Sequence, residues 1–127
     1  MRRLRKETVS ECPCELAVRY IGGAWKVLIV WHLAKAGKYR HSELRRRLSG
    51  ITAKILTQQL REMEQDGLVQ RHVFAEVPPR VEYELTARGE TLRPVIDAMY
   101  AWGKQQGHVS NIAKIPPARS ATPEVVS

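Results

Sequence analysis

Apolar residues recur every three to four positions from Leu16 to Met63, and every second position from Val81 to Leu85. The first period predicts helices and the second predicts strands. A first helix is expected to begin near Pro13, a residue suited to a helix's first turn, with Leu16, Ala17, Tyr20 and Ile21 inward. Gly22-Gly23 breaks it. A second helix, from about Ala24 to Lys35, places Trp25, Leu28, Ile29 and Leu33 at helical spacing. It is apolar on most sides, which predicts the central buried helix. Gly37 ends it. A short third helix around His41 to Leu48 buries Leu44 and Leu48 and exposes Arg45, Arg46 and Arg47. After the turn Ser49-Gly50-Ile51, Thr52 can cap a fourth helix that runs until Gly67.

Past Gly67 the pattern changes. Leu68 to Ala75 is rich in β-formers, and Val81, Tyr83 and Leu85 alternate with Glu82 and Glu84. Between them Glu76-Val77-Pro78-Pro79-Arg80 must form the hairpin tip, because paired prolines donate no ladder hydrogen bonds. Arg80 is expected to be exposed beside it. Thr86 then caps a final helix carrying Leu92, Val95, Ile96, Met99 and Trp102, with a kink at Pro94. This order predicts an α+β class, mostly α: a winged helix-turn-helix with a two-stranded wing and terminal dimerisation helices. Residues 1–10 read as a flexible basic arm and 11–107 as one DNA-binding domain. Residues 108–127, with three prolines and no apolar period, read as a disordered tail.

The fourth helix has two faces. Leu56, Leu60 and Met63 form an apolar stripe, while Lys54, Thr57, Gln58, Arg61 and Gln65 form a polar stripe with no acid in it. Solvated stripes usually mix Glu with Lys, so this one suits an anion with readable edges. Thr57, Gln58 and Arg61 have the reach for base edges in a major groove. Lys54 near the helix start, Arg45 or Arg46, and Arg80 on the wing are expected on the phosphate backbone, with Thr52 also at the DNA surface. A net charge of +8 and a pI near 9.9 favour an acidic partner.

Other chemistry is thin. The longest apolar run, Val27 to Trp31, is far short of a membrane span, and the basic start leads into no apolar signal segment. No Gly-x-Ser-x-Gly, phosphate-cradling loop or carboxylate pair suggests an enzyme. The histidines His32, His41, His72 and His108 are scattered, so neither metal nor cofactor is expected. Cys12 and Cys14 are one residue apart and would bridge each other only with strain. Cys12 precedes the first helix, whose N-terminal dipole can lower its pKa.

Longer runs carry a resemblance. Glu11-Cys12-Pro13-Cys14-Glu15, Ile21-Gly22-Gly23-Ala24-Trp25-Lys26 and Ser42-Glu43-Leu44-Arg45-Arg46 resemble the HxlR-type winged-helix regulators of bacteria. So do Gly50-Ile51-Thr52, Leu56-Thr57-Gln58-Gln59-Leu60-Arg61-Glu62-Met63 and Asp66-Gly67-Leu68-Val69. The run Glu76-Val77-Pro78-Pro79-Arg80-Val81-Glu82-Tyr83-Glu84-Leu85-Thr86 completes a likeness spanning about residues 11 to 107. The resemblance implies a homodimeric transcription factor of the wider MarR-like class, cytoplasmic and acting at the bacterial nucleoid. Its partner would be double-stranded DNA, with a pseudo-palindromic operator matching the protein's two-fold. The dimer would form through the first helix, at Leu16 and Tyr20, and the last, at Leu92, Val95, Ile96, Met99 and Trp102. In some members a thiol at the Cys12 position senses oxidants or electrophiles, with Cys14 a second candidate here.

The chain departs from the family's habit in three places. His41 stands where a Phe usually precedes Ser-Glu-Leu, Ala24 where Lys or Arg precedes Trp25, and Cys14 where an aliphatic residue is usual. Other readings stay open: a winged helix used as a protein-interaction module, or a regulator whose effector is a small molecule at the dimer interface. Trp25, Trp31, Tyr20, Tyr100 and Trp102 are candidates to line such a pocket, and equally to be plain core. RNA binding lacks stacking aromatics on an exposed strand.

Overall fold

Local signals in the chain decide where each element stops. Gly67 adopts φ 76°, a left-handed conformation that a side chain would strain, and there the chain leaves the fourth helix. Its backbone N–H and that of Leu68 return to the carbonyls of Glu64 and Met63 at 3.0 and 2.9 Å, satisfying the helix end. Gly89 is required for another reason: a Cβ there would lie 2.1 Å from the Leu68 carbonyl oxygen. The fold is that of a computed structural model, which describes residues 12–107. The expected basic arm and C-terminal tail lie outside the described residues.

The elements run α1 (Pro13–Ile21), α2 (Ala24–Ala36), β1 (Lys38–Arg40), α3 (His41–Arg47), α4 (Ala53–Gln65), β2 (Val69–Phe74), β3 (Arg80–Leu85), α5 (Ala87–Glu90) and α6 (Arg93–Gln106). The chain divides after Ile96 into two units, so α6 begins in one and ends in the other. In the first unit Ile29, Val30 and Leu33 of α2 meet Leu44, Leu56, Leu60 and Met63 in the core. Ile21, Leu48, Ile51, Leu68, Val69, Leu85 and Ile96 complete it. Burying each of these side chains contributes about 1.5–3 kcal/mol before the entropy of ordering the chain is subtracted. The second unit, from Asp97, contains the rest of α6, with the Lys104 ammonium 5.9 Å from the Tyr100 ring centre.

Several expectations are corrected. The sheet has three strands among the described residues, in the order β1-β3-β2, all antiparallel. Tyr83 of β3 faces Tyr39 on one side and Arg71 on the other. The wing hairpin β2–β3 is therefore extended by β1, which is too short to carry a period of its own. In α1 only Ile21 is buried and Tyr20 is half-buried, whereas Leu16 and Ala17 are exposed. In α2 the inward set is Lys26, Ile29, Val30 and Leu33, and Leu28 faces out. The expected single final helix is broken. Thr86 caps only α5, where its hydroxyl accepts the Gly89 N–H at 3.0 Å, and α6 starts anew at Arg93. Pro94 then falls in the first turn of α6, where its missing N–H leaves no helical bond unmade, so no mid-helix kink arises.

Candidate nucleic-acid interface

The Thr52 hydroxyl starts α4 by accepting the Ile55 N–H at 3.1 Å. The apolar stripe Leu56, Leu60 and Met63 is wholly buried and fixes the rotation of the helix. α3 is set just before it: the Glu43 carboxylate accepts the Arg40 N–H at 2.9 Å and Leu44 enters the core. Arg45 Nε reaches the Ile51 carbonyl at 3.4 Å, tying α3 to the turn. Arg45 and Arg46 are exposed, and the guanidinium of Arg47 lies 6.0 Å from the Tyr39 ring centre.

Opposite the core, Ala53, Lys54, Thr57, Gln58, Arg61 and Glu62 line one shallow open depression. Lys54, Gln58 and Arg61 are exposed, and neither cation forms an ion pair among the described residues. Thr57 is half-buried, its Oγ1 3.0 Å from His41 Nε2 on α3. Burial, and then the Arg45 cation, push the His41 pKa below its ordinary value, which favours the neutral ring. Gln65 lies exposed further along the helix.

Glu62 is an acid at the edge of this face. It is held by Lys26 of α2, whose Nζ lies 2.6 Å from Glu62 Oε1, with the two side chains 6% and 14% exposed. The depression is therefore cationic in effect although a carboxylate lines it. The signal for this pair is in the sequence, since Lys26, Ile29, Val30 and Leu33 stand at i, i+3, i+4 and i+7. A lysine at a core position needs a buried counter-charge.

The wing treats its arginine differently. Arg80, expected to be exposed, is half-buried, with its guanidinium 4.0 Å from the Phe74 ring centre. It pairs with Glu76 at 3.0 Å and Glu82 at 3.6 Å. Glu84 of β3 is 2.6 Å from His72 Nε2 and accepts from Gln70 at 3.0 Å. Arg71 Nε lies 3.7 Å from Glu64 of α4. At the hairpin tip Val77 is fully exposed.

The residues expected at a dimer contact divide in two. Ile96 is buried in the core and Leu92 packs against it, while Tyr20 is half-buried beneath the Arg88 guanidinium at 4.8 Å. Leu16, Val95, Met99 and Trp102 are exposed, Trp102 at 66%, and Val18 and Tyr100 join them. Of the candidate pocket aromatics, Trp25 and Trp31 pack against the core, and Tyr100 and Trp102 are exposed. Cys12 and Cys14 are both exposed at the start of α1. Hydrogen bonds from the backbone at Glu15, then at Cys14, lower the Cys12 pKa. Among the described residues no group of three or more His, Cys, Asp or Glu could hold a metal ion, and no helix is long and apolar enough to cross a membrane.

A family model described as HxlR-like helix-turn-helix matches residues 20–111, which include α2, α3, α4 and the wing. The chain belongs to this HxlR-like family. It is 49% identical over 107 residues to an uncharacterized HTH-type transcriptional regulator of Methanothermobacter thermautotrophicus, covering 84% of this chain and 81% of that protein. Among solved structures, the redox regulator HypR in its oxidized form is 46% identical with a TM-score of 0.73, covering 77% of this chain and 100% of that one. The reduced form of the transcriptional regulator YodB from B. subtilis is 36% identical with a TM-score of 0.64, covering 76% and 94%. This HxlR-like chain is thus a transcriptional regulator with a winged helix-turn-helix fold.

Proposed function

We propose that this regulator binds double-stranded DNA as a homodimer, with α4 in a major groove, and exerts its effect by binding and not by catalysis. The observation that carries the reading is the α4 depression. Lys54, Gln58 and Arg61 are exposed there, and the carboxylate of Glu62 is neutralised from behind by Lys26. Arg61 suits a bidentate pair with guanine, Gln58 one with adenine, and the Thr57 methyl suits thymine. Lys54, Thr52, Arg45 and Arg46 ring this helix and are assigned to phosphates. One reading helix spans only a few base pairs, so two copies on a pseudo-palindrome supply the needed length. Leu16 on α1 and, each taken by itself, Val95, Met99 and Trp102 on α6 are exposed apolar residues assigned to that pairing.

For the signal, the exposed, acidified Cys12 favours an oxidant or electrophile, consistent with the redox regulator among the structural relatives. Cys14 stands beside it as a second thiol. The protein would act at the nucleoid, in the cytoplasm. Selection of bound duplexes from a random library tests the DNA reading. The expected result is enrichment of two inverted half-sites about one helical turn apart. Recovery of no enriched sequence would overturn it.

A further inference from the structure

Thr57 sits in the depression of α4, yet its hydroxyl is already engaged by a side chain from another helix. His41 Nε2 on α3 is 3.0 Å from Thr57 Oγ1, and both residues are half-buried. A threonine hydroxyl has one proton to donate and two lone pairs to accept with. A neutral imidazole has one N–H, so at this contact Nε2 either donates to the hydroxyl or accepts from it. If Nε2 donates, Thr57 keeps its proton for a base acceptor such as purine N7, guanine O6 or thymine O4. If Nε2 accepts, only lone pairs remain, which suit the amino groups of adenine or cytosine. In either case one hydrogen-bonding role of Thr57 is taken inside the protein, and the hydroxyl is held toward α3.

We propose that His41 is a specificity-determining residue: by holding Thr57 Oγ1 it fixes which role that hydroxyl presents to a base edge. The inference rests on the reading of α4 as the base-reading helix. His41 touches no base in this scheme; it is a positioning residue acting through Thr57. Because His41 is on the helix that places α4 and Thr57 is on α4, the contact also couples the seating of α4 to its reading. Among the described residues Lys54, Gln58 and Arg61 have no such tether, so the effect belongs to one base position and not to the whole half-site.

The test is selection of bound duplexes by the full-length protein and by His41→Phe, His41→Gln and Thr57→Val. Thermal melts establish that each variant is folded. Phe keeps a ring of similar size at 41, so packing is retained while the hydrogen bond is lost. Gln carries both a donor and an acceptor and can remake the contact. Thr57→Val identifies the base position that Thr57 reads. At that position His41→Phe is expected to relax or change the preferred base by about three- to tenfold, the worth of one neutral hydrogen bond. His41→Gln is expected to restore the preference, and positions read by Gln58 and Arg61 should stay as they were. A purely structural His41 would weaken all positions together. The inference is overturned if His41→Phe leaves the base profile unchanged, or if Thr57→Val alters no position; α4 still reads DNA in both cases. If the parent protein enriches no sequence, the reading beneath the inference falls and takes the inference with it.

Discussion

α4 and the β2–β3 hairpin each present arginine beside glutamate, and they settle the charges in opposite ways. On α4 the carboxylate of Glu62 is drawn inward by Lys26, from a different helix, which leaves Arg61 and Lys54 outward. On the hairpin the cation is the group that is consumed, because Arg80 lies against Phe74 and pairs with Glu76 and Glu82. An arginine in a sequence is thus not by itself a cation offered to a partner. What surrounds it in the fold decides, and a lysine 36 residues away can matter more than the local run of charge.

The largest effect is expected at the buried pair. Lys26→Met removes the buried cation that holds the part-buried Glu62 carboxylate, which should cost about 3 kcal/mol in urea denaturation. The double variant Lys26→Met/Glu62→Leu should recover most of that loss. A single variant within about 1 kcal/mol of the parent would show that the pair does not hold α4. Next is the helix start. Thr52→Ala removes the acceptor for the Ile55 N–H and should lower stability by about 1 kcal/mol, with Thr52→Ser close to neutral in the same assay.

Acid should weaken the fold through two histidines. Burial is the first cause that lowers the pKa of both His32 and His41, followed by Arg47 and Arg45 respectively. Below their ordinary value of 6.5 the unfolded chain binds protons that the folded chain resists, so stability rises with pH through that window and falls as pH drops into it. The melting temperature should therefore fall between about pH 7.5 and 5.5, and His32→Gln/His41→Gln should flatten the slope. A parent slope that survives this double change would assign the acid sensitivity elsewhere. The smallest effect is expected at the wing. Arg80→Ala should leave the salt dependence of DNA binding unchanged, whereas Lys54→Ala should reduce the log–log slope by about 0.9. A matching drop for Arg80→Ala would mean that its pairs with Glu76 and Glu82 open on DNA.

The helical frame is legible because α2, α3 and α4 repeat their apolar residues at a helix's spacing, and α2 and α4 run up to Gly37 and Gly67. β1 is not, because three residues show no period, and its place depends on pairing with β3 more than 40 positions later. The break between α5 and α6 is not legible for a related reason: Leu92, which lies in it, keeps helical spacing with Val95 and Ile96 of α6. At the candidate site, Lys54, Gln58 and Arg61 were readable from their common face. The inward turn of Glu62 and the tether on Thr57 were not, since each depends on a residue from another helix. The one local signal for the turn of Glu62 is Lys26, a charge at a core position of the most apolar helix. Arg80 was misplaced because the hairpin sequence does not reveal that Phe74 would lie beneath it.

If α4 reads bases, Arg61 is where the reading shows. Affinity would be measured for the parent and Arg61→Ala on the selected duplex and on random duplex of equal length, at matched salt. The expected loss is about 1–3 kcal/mol on the selected site, with little change on random DNA. An equal loss on both would contradict it, and would make Arg61 a phosphate contact.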